Sequence, residues 1–322
     1  MSVLRYAARA VVFAVSLGLA VPASHAADKL HVAKPEATTF AFAFLDIGIG
    51  AGIFAKHGLD IEVLDLAGAA KAHQALIAGS AEIELGSGVE LIYLAKGSPA
   101  KGIAVLATAP LGMGLMVRDD GSVKDVADLK GKMVGISTVG SLTDWLATEM
   151  SRHEGWGSDG VKRVALGNQD ALSAALLSKN IDAIIGGTQT GYRLQEAGRG
   201  KVLTTFGPLV PHFVTHMILA SDAMIAAHPD QVKTFLAAWF DTVAFAKANR
   251  AEAIRLTMPL TRMPPETAAR IYDEQIAMIS PDGRFQPDDL AVIKQSVKVL
   301  GEFEKLPPDN AMFTEAFLPG KK

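Results

Sequence analysis

Along residues 59–66, "LDIEVLDL", apolar and polar side chains alternate apart from the adjacent Val63 and Leu64, which predicts a half-buried strand. Around it the period switches repeatedly between two and 3.6. Residues 30–33 read as a strand and 42–57 as a helix that Gly58 stops. Residues 69–78 read as a helix, 81–85 as a strand, 89–95 as a helix and 103–108 and 113–117 as strands. A second alternating run follows: a helical turn at 126–130, a strand at 133–136, a helix at 142–153, a strand at 162–166, a helix at 169–177, a strand at 181–185, a helix at 191–197 and a strand at 202–206. One more strand, 214–220, precedes a helical tail with segments at 229–248, 264–279 and 288–303.

Strands that alternate with helices argue for mainly parallel sheets flanked by helices. Two such runs and one shared tail predict two lobes. Lobe 1 is read as residues 27–114 and 214–322, lobe 2 as 115–213, with a hinge where the chain crosses twice. A cleft between hinged lobes is a natural site for a small ligand.

The first 26 residues stand apart. Arg5 and Arg9 are their only charges, and the apolar run 10–21 is shorter than the roughly 20 residues that span a bilayer. Ser24 and Ala26 supply the small residues of a secretory cleavage site, so the chain is read as exported to the periplasm with 1–26 removed. The 322-residue chain carries a formal charge of −3, and losing two arginines makes it more negative. No basic stripe interleaved with aromatics is present, which excludes a nucleic-acid partner as a reading. With no Cys in the chain there is no disulfide, no thiolate nucleophile and no thiolate metal ligand.

Candidate chemistry gathers where strands run into helices. In "ISTVGSLTDW" the first N–H groups of a helix lack internal partners and carry the positive end of the helix dipole, which suits an anion. Thr138, Gly140 and Ser141 are candidates there. A capping reading stands beside the ligand reading, since Ser141-x-x-Asp144 is close to a capping box. Asp144 either returns to the backbone or meets an ammonium. The matching corner of lobe 1 offers Ser87 and Gly88, with Glu90 read as a solvated first-turn acid. Phe40, Phe42 and Phe44 alternate after the first strand, as core residues or cleft aromatics. Thr188, Gln189 and Thr190 repeat the strand-end theme, and Arg193 follows them. His212 and His216 would lie about 13 Å apart on a strand, which rules against a shared metal; His212 is kept as a hinge candidate for ligand contact. No G-x-S-x-G elbow and no H-E-x-x-H is present.

Several segments together resemble the periplasmic solute-binding proteins of ABC importers. "FAFLDIGIGAGIFAKHGLDIEV" is similar to the first helix and second strand of the branch for nitrate, sulfonates and taurine, and thiamin-pyrimidine precursors. "ALIAGSAEIELGSG", "DLKGKMVGIS" and "LLSKNIDAIIGG" resemble that branch in order and spacing. The resemblance implies a type II periplasmic binding protein fold, clamshell closure on a small organic anion (a sulfonate or carboxylate, a zwitterion included), docking of a monomer on an ABC permease, no cofactor and no catalysis. Two alternatives remain: an envelope sensor feeding a signalling partner, and an enzyme of thiamin-pyrimidine synthesis on the same fold. Those enzymes use a Cys-rich segment and a reactive His, and this chain has no Cys.

Overall fold

A computed structural model describes residues 28–261 and 263–320. The expected leader, 1–26, lies outside the described residues. Two five-stranded sheets, each flanked by helices, form a two-lobed α/β fold. The first sheet contains β1 (Asp28–Lys34), β2 (Leu59–Asp65), β3 (Ile83–Ser87), β4 (Ala100–Thr108) and β10 (Val214–Ser221), in the order β2-β1-β3-β10-β4. The second contains β5 (Met113–Arg118), β6 (Met133–Ile136), β7 (Lys162–Ala165), β8 (Ala183–Gly187) and β9 (Gly200–Thr205), in the order β7-β6-β8-β5-β9.

The two sheets share one plan. In each, the first three strands pair in parallel and the fourth is inserted antiparallel: β10 between β3 and β4, β5 between β8 and β9. These inserted strands are the ones that have just crossed from the other lobe. The crossings are bonded to each other, Ala109 N–H donating to the Phe213 carbonyl at 2.9 Å and Phe206 N–H to Met113 at 3.0 Å. Met113 and Gly114 already pair with Gly187 and Gly186 of the second sheet, so β5 begins ahead of the expected boundary at 114/115.

Local chemistry explains the departures from the periodicity. The helix expected over 42–57 is two helices, Ala43–Gly50 and Ile53–Lys56, because Gly52 takes a left-handed φ of 69° between them. Strands β3 and β8 run two residues further than expected, into Gly86-Ser87 and Gly186-Gly187. A helix spans Thr188–Glu196, starting three residues early, so Thr188, Gln189 and Thr190 form its first turn and not a loop. Helices at Asp222–Ala227, Arg250–Thr261 and Asp309–Met312 went unpredicted.

The tail returns to the first lobe. Helix Pro229–Ala248 packs on Ala43–Gly50, with Phe235 and Trp239 beside Phe54 and Phe44. A second apolar cluster is continuous through the hinge, from Val89 and Leu91 to Leu142 and Trp145 by way of Phe213. Trp145 stacks on Phe213 with ring centroids 4.1 Å apart and planes 4° from parallel. Lys34, fully buried at the end of β1, bonds Asp46 of the first helix at 2.8 Å and lies 3.5 Å from Asp65 at the end of β2. That pinning fixes where the chain leaves β1, immediately before Pro35 and Glu36.

The tightest backbone approach lies at Gly88, where a Cβ would sit 2.0 Å from the Val214 carbonyl oxygen and 3.1 Å from Ile293 Cδ1. Gly88→Ala must push the corner after β3 off the crossing strand. It is expected to cost about 1–3 kcal/mol, read as a lower urea midpoint at unchanged slope; an unchanged midpoint would show that the corner yields freely.

Candidate functional site

The strand ends of both sheets converge on one cavity of about 70 Å³. Its walls include Glu36, Thr39, Phe42, Ser87, Glu90 and His216 from the first lobe and Met113, Ser137, Ser141, Thr143, Gln169 and Gly187 from the second. A narrow extension runs inward past Phe40, Gln189, Thr215 and Gln275. The lobes touch across it. Gln169 N–H donates to Glu36 Oε2 at 3.1 Å and Gln189 Nε2 to the Thr38 carbonyl at 3.0 Å. Thr138 stands against Gly68, where a Cβ would be 2.7 Å from Thr138 Cγ2. Gly140, at φ 77°, approaches the Tyr93 hydroxyl, which lies 4.0 Å from where its Cβ would be.

The corner before helix Leu142–His153 is occupied largely with itself. Ser141 Oγ caps Asp144 N–H at 3.4 Å, and the Asp144 carboxylate takes Gly140 N–H at 2.8 Å. Arg163 then neutralises Asp144 at 3.1 Å, so Asp144 serves the helix terminus and not the cavity. Ser137, Ser141 and Thr143 hydrogen-bond one another within 3.1 Å. The capping and cleft readings therefore coexist at Ser141, but much of the donor capacity expected for an anion is spent internally.

Of the other expected residues, Phe42 and Ser87 line the cavity, while Phe40 and Gln189 line its extension. Thr188 bonds Gln275 Nε2 at 3.1 Å through its Oγ1, and Thr190 is buried with no partner for its hydroxyl. Phe44 points away from the cleft, into the core against Trp239, because it sits on the buried face of its helix. Gly88 is packed under β10. His212 is exposed at the surface, 3.7 Å from Asp289, because it precedes β10 instead of lying in it. Glu90, expected in solvent, is 1% exposed.

His216 takes the place expected for His212. It lies in β10 opposite Ser87, with its ring 4.9 Å from Phe42 in an edge-on contact. Burial pushes its imidazole down to about 3, so it is neutral near pH 7. Glu36, half-buried after Pro35, is raised above the ordinary carboxyl range by burial. Gln169 opens a helix and folds over Gly186, where a Cβ would meet its Oε1 at 2.2 Å. Among the described residues lining the cavity there is no Lys or Arg, and its acidic side chains are Glu36 and Glu90. No group of three or more His, Asp and Glu among the described residues is arranged to hold a metal ion.

Residues 40–253 match the family model described as NMT1/THI5 like. The chain belongs to the NMT1/THI5-like family. Among relatives of this NMT1/THI5-like chain, a Haemophilus influenzae protein named for thiamine biosynthesis is 30% identical over 136 residues. That match covers 42% of this chain and 42% of the relative, so the chain spans under half of the curated relative it matches. The alkanesulfonate-binding protein SsuA of Xanthomonas axonopodis pv. citri, solved with MOPS, superposes with a TM-score of 0.76 at 16% identity, over 88% of this chain and 98% of that one. The desulfurization enzyme DszB superposes at 0.63 and 16% identity, over 90% and 97%. At such identities the likeness is one of fold: this NMT1/THI5-like chain has the architecture of periplasmic binding proteins, on which an enzyme is also built.

The buried neutral imidazole makes a pH prediction. Because the folded value of His216 is below the unfolded 6.5, the stability it contributes is present above pH 6.5 and is lost as pH falls toward 3. Wild type should lose about 1.4 kcal/mol per pH unit below 6.5 relative to His216→Gln, measured by urea denaturation at pH 7.5 and 4.5. An equal gap between the two proteins at both pH values would contradict a buried, neutral His216.

Proposed function

We propose that this chain is an exported receptor that captures a small solute by closing its two lobes over it. The observation that carries the reading is the cavity walled by strand ends of both sheets and bridged by Glu36–Gln169 and Thr38–Gln189. A solute touching both walls favours the closed state over the open one by its differential contacts. In this reading 27–112 and 214–322 make lobe 1 and 113–213 lobe 2, the expected boundary at 114/115 moving back because Met113 and Gly114 pair in the second sheet. The leader ending at Ala26 directs export to the periplasm, where the closed monomer docks on an ABC permease. Among the described residues no helix is long and apolar enough to cross a membrane. A receptor is favoured over a Ser-His hydrolase because His216 Nδ1, the nitrogen an orienting carboxylate would hold, has no hydrogen-bond partner among the described residues.

The solute best suited to these walls presents N–H donors and is neutral or singly cationic. Carboxyls of Glu36 and Glu90 face it, and no lining cation answers an anion. The name of the Haemophilus relative supports this, since aminopyrimidines fall in that class. The organic-anion reading retains the hydroxyls of Ser137, Ser141 and Thr143 in its favour, together with the sulfonate-binding neighbour.

A thermal-shift series separates the readings. An aminomethyl-pyrimidine at a hundredfold excess over Kd should add about 2.7 kcal/mol and raise the Tm by several degrees, and Glu36→Gln should weaken it about tenfold. A shift with taurine or MOPS alone would establish the anion reading instead. If pyrimidines, sulfonates, aromatic carboxylates and nitrate all leave the Tm in place, the receptor reading loses its support.

A further inference from the structure

Side chains alternate along a strand, so Glu84 and Gly86 of β3 share a face. Gly86 leaves that face open, and Glu90 fills the opening: a Cβ on Gly86 would lie 2.3 Å from Glu90 Oε2. The carboxyl of Glu90 thus folds back from the turn after β3 toward Glu84. Both residues are buried, 0% and 1% exposed.

Counting donors around the pair leaves two oxygens over. Glu90 Oε1 accepts from the N–H and the hydroxyl of Ser87, each at 3.0 Å. Glu84 Oε2 lies 2.9 Å from His73 Nδ1, and His73 Nε2 lies 2.7 Å from Ser98 Oγ. Glu84 Oε1 and Glu90 Oε2 have no donor. Two buried, donorless oxygens on neighbouring carboxyls are costly, and two full charges there would repel. One proton resolves both problems: Glu90 O–H donates to Glu84, His73 Nδ1–H donates to Glu84 from the other side, and the Ser98 hydroxyl donates to His73 Nε2.

The titratable groups packed around the pair are compatible with that state. His73 comes from helix Ala69–Ile77 and is pushed down by burial, hence neutral. Tyr93, from helix Leu91–Ala95, stacks on His73 at 4.6 Å and is pushed up by burial, hence neutral too. His216 on β10 is neutral, and Glu36 lies at the cavity wall. Burial raises Glu84 to about 7; burial and then the Glu84 charge raise Glu90 well above its ordinary range.

We propose that Glu84 and Glu90 hold one proton between them, leaving a single negative charge shared through Glu90 of the cavity wall that selects a solute with one positive charge. The selection rests on the receptor reading above, whereas the shared proton does not. Infrared spectra of the unliganded protein test the proton directly. At pH 7 the wild type should show a protonated-carboxyl C=O band that disappears at alkaline pH. The band should be absent in Glu84→Gln and in Glu90→Gln, where the amide supplies the missing donor, and kept in Glu36→Gln. A band absent from the wild type, or surviving in Glu84→Gln or Glu90→Gln, would overturn the proposal. If neither variant folds, the wild-type titration decides: a band at pH 7 that alkali removes supports it, and no band at pH 7 overturns it. A positive band with no shift by any aminopyrimidine would sink the solute class and leave the proton standing.

Discussion

Everything in this molecule depends on two antiparallel crossings held side by side. Each inserts its strand next to the centre of the sheet it reaches, β5 beside β8 and β10 beside β3, and the two are tied by Ala109–Phe213 and Phe206–Met113. That placement forces the ends of β3 and β8 to face each other across a gap. It also brings His216, part of the crossing strand itself, to the centre of the cavity. Connections through the sheet edges would leave the glycine corners on unrelated surfaces.

The corners then follow a common solution. At the end of β3, Gly86 is overlaid by the carboxyl of Glu90; at the end of β8, Gly186 is overlaid by the carboxamide of Gln169. In both cases a missing side chain on the strand lets a long polar one lie flat and face the gap. A chain of low net charge thereby concentrates carboxyls where few other charges compete. Lys34, which has the reach of a ligand-binding cation, is consumed by Asp46 and Asp65 in holding the start of the Pro35–Glu36 turn.

Much of the fold was legible in the sequence because periodicity reports burial. "LDIEVLDL" alternates since β2 lies at a sheet edge with one face covered, and the order of strands and helices follows directly. Periodicity fails where backbone pairing, not side-chain pattern, sets the element: Gly86-Ser87 and Gly186-Gly187 carry no apolar signal yet complete β3 and β8. Ser87, Ser141 and Phe42 were found because a strand running into a helix marks a corner. Glu36, Gln169 and His216 were missed because their place depends on which strands sit together, which no local pattern encodes. His216 was within view: its apolar neighbours Val214, Met217 and Ile218 mark a central strand, whereas His212 follows a proline ahead of that strand.

The stack of Trp145 on Phe213 joins a helix of one lobe to the crossing about which the lobes turn. Such a pair holds only while its rings stay parallel, and an indole's emission depends on what lies against its face. Any rotation at the crossing must slide or part the rings. The chain thus contains an intrinsic optical gauge of its own opening, placed outside the walls of the strand-end cavity.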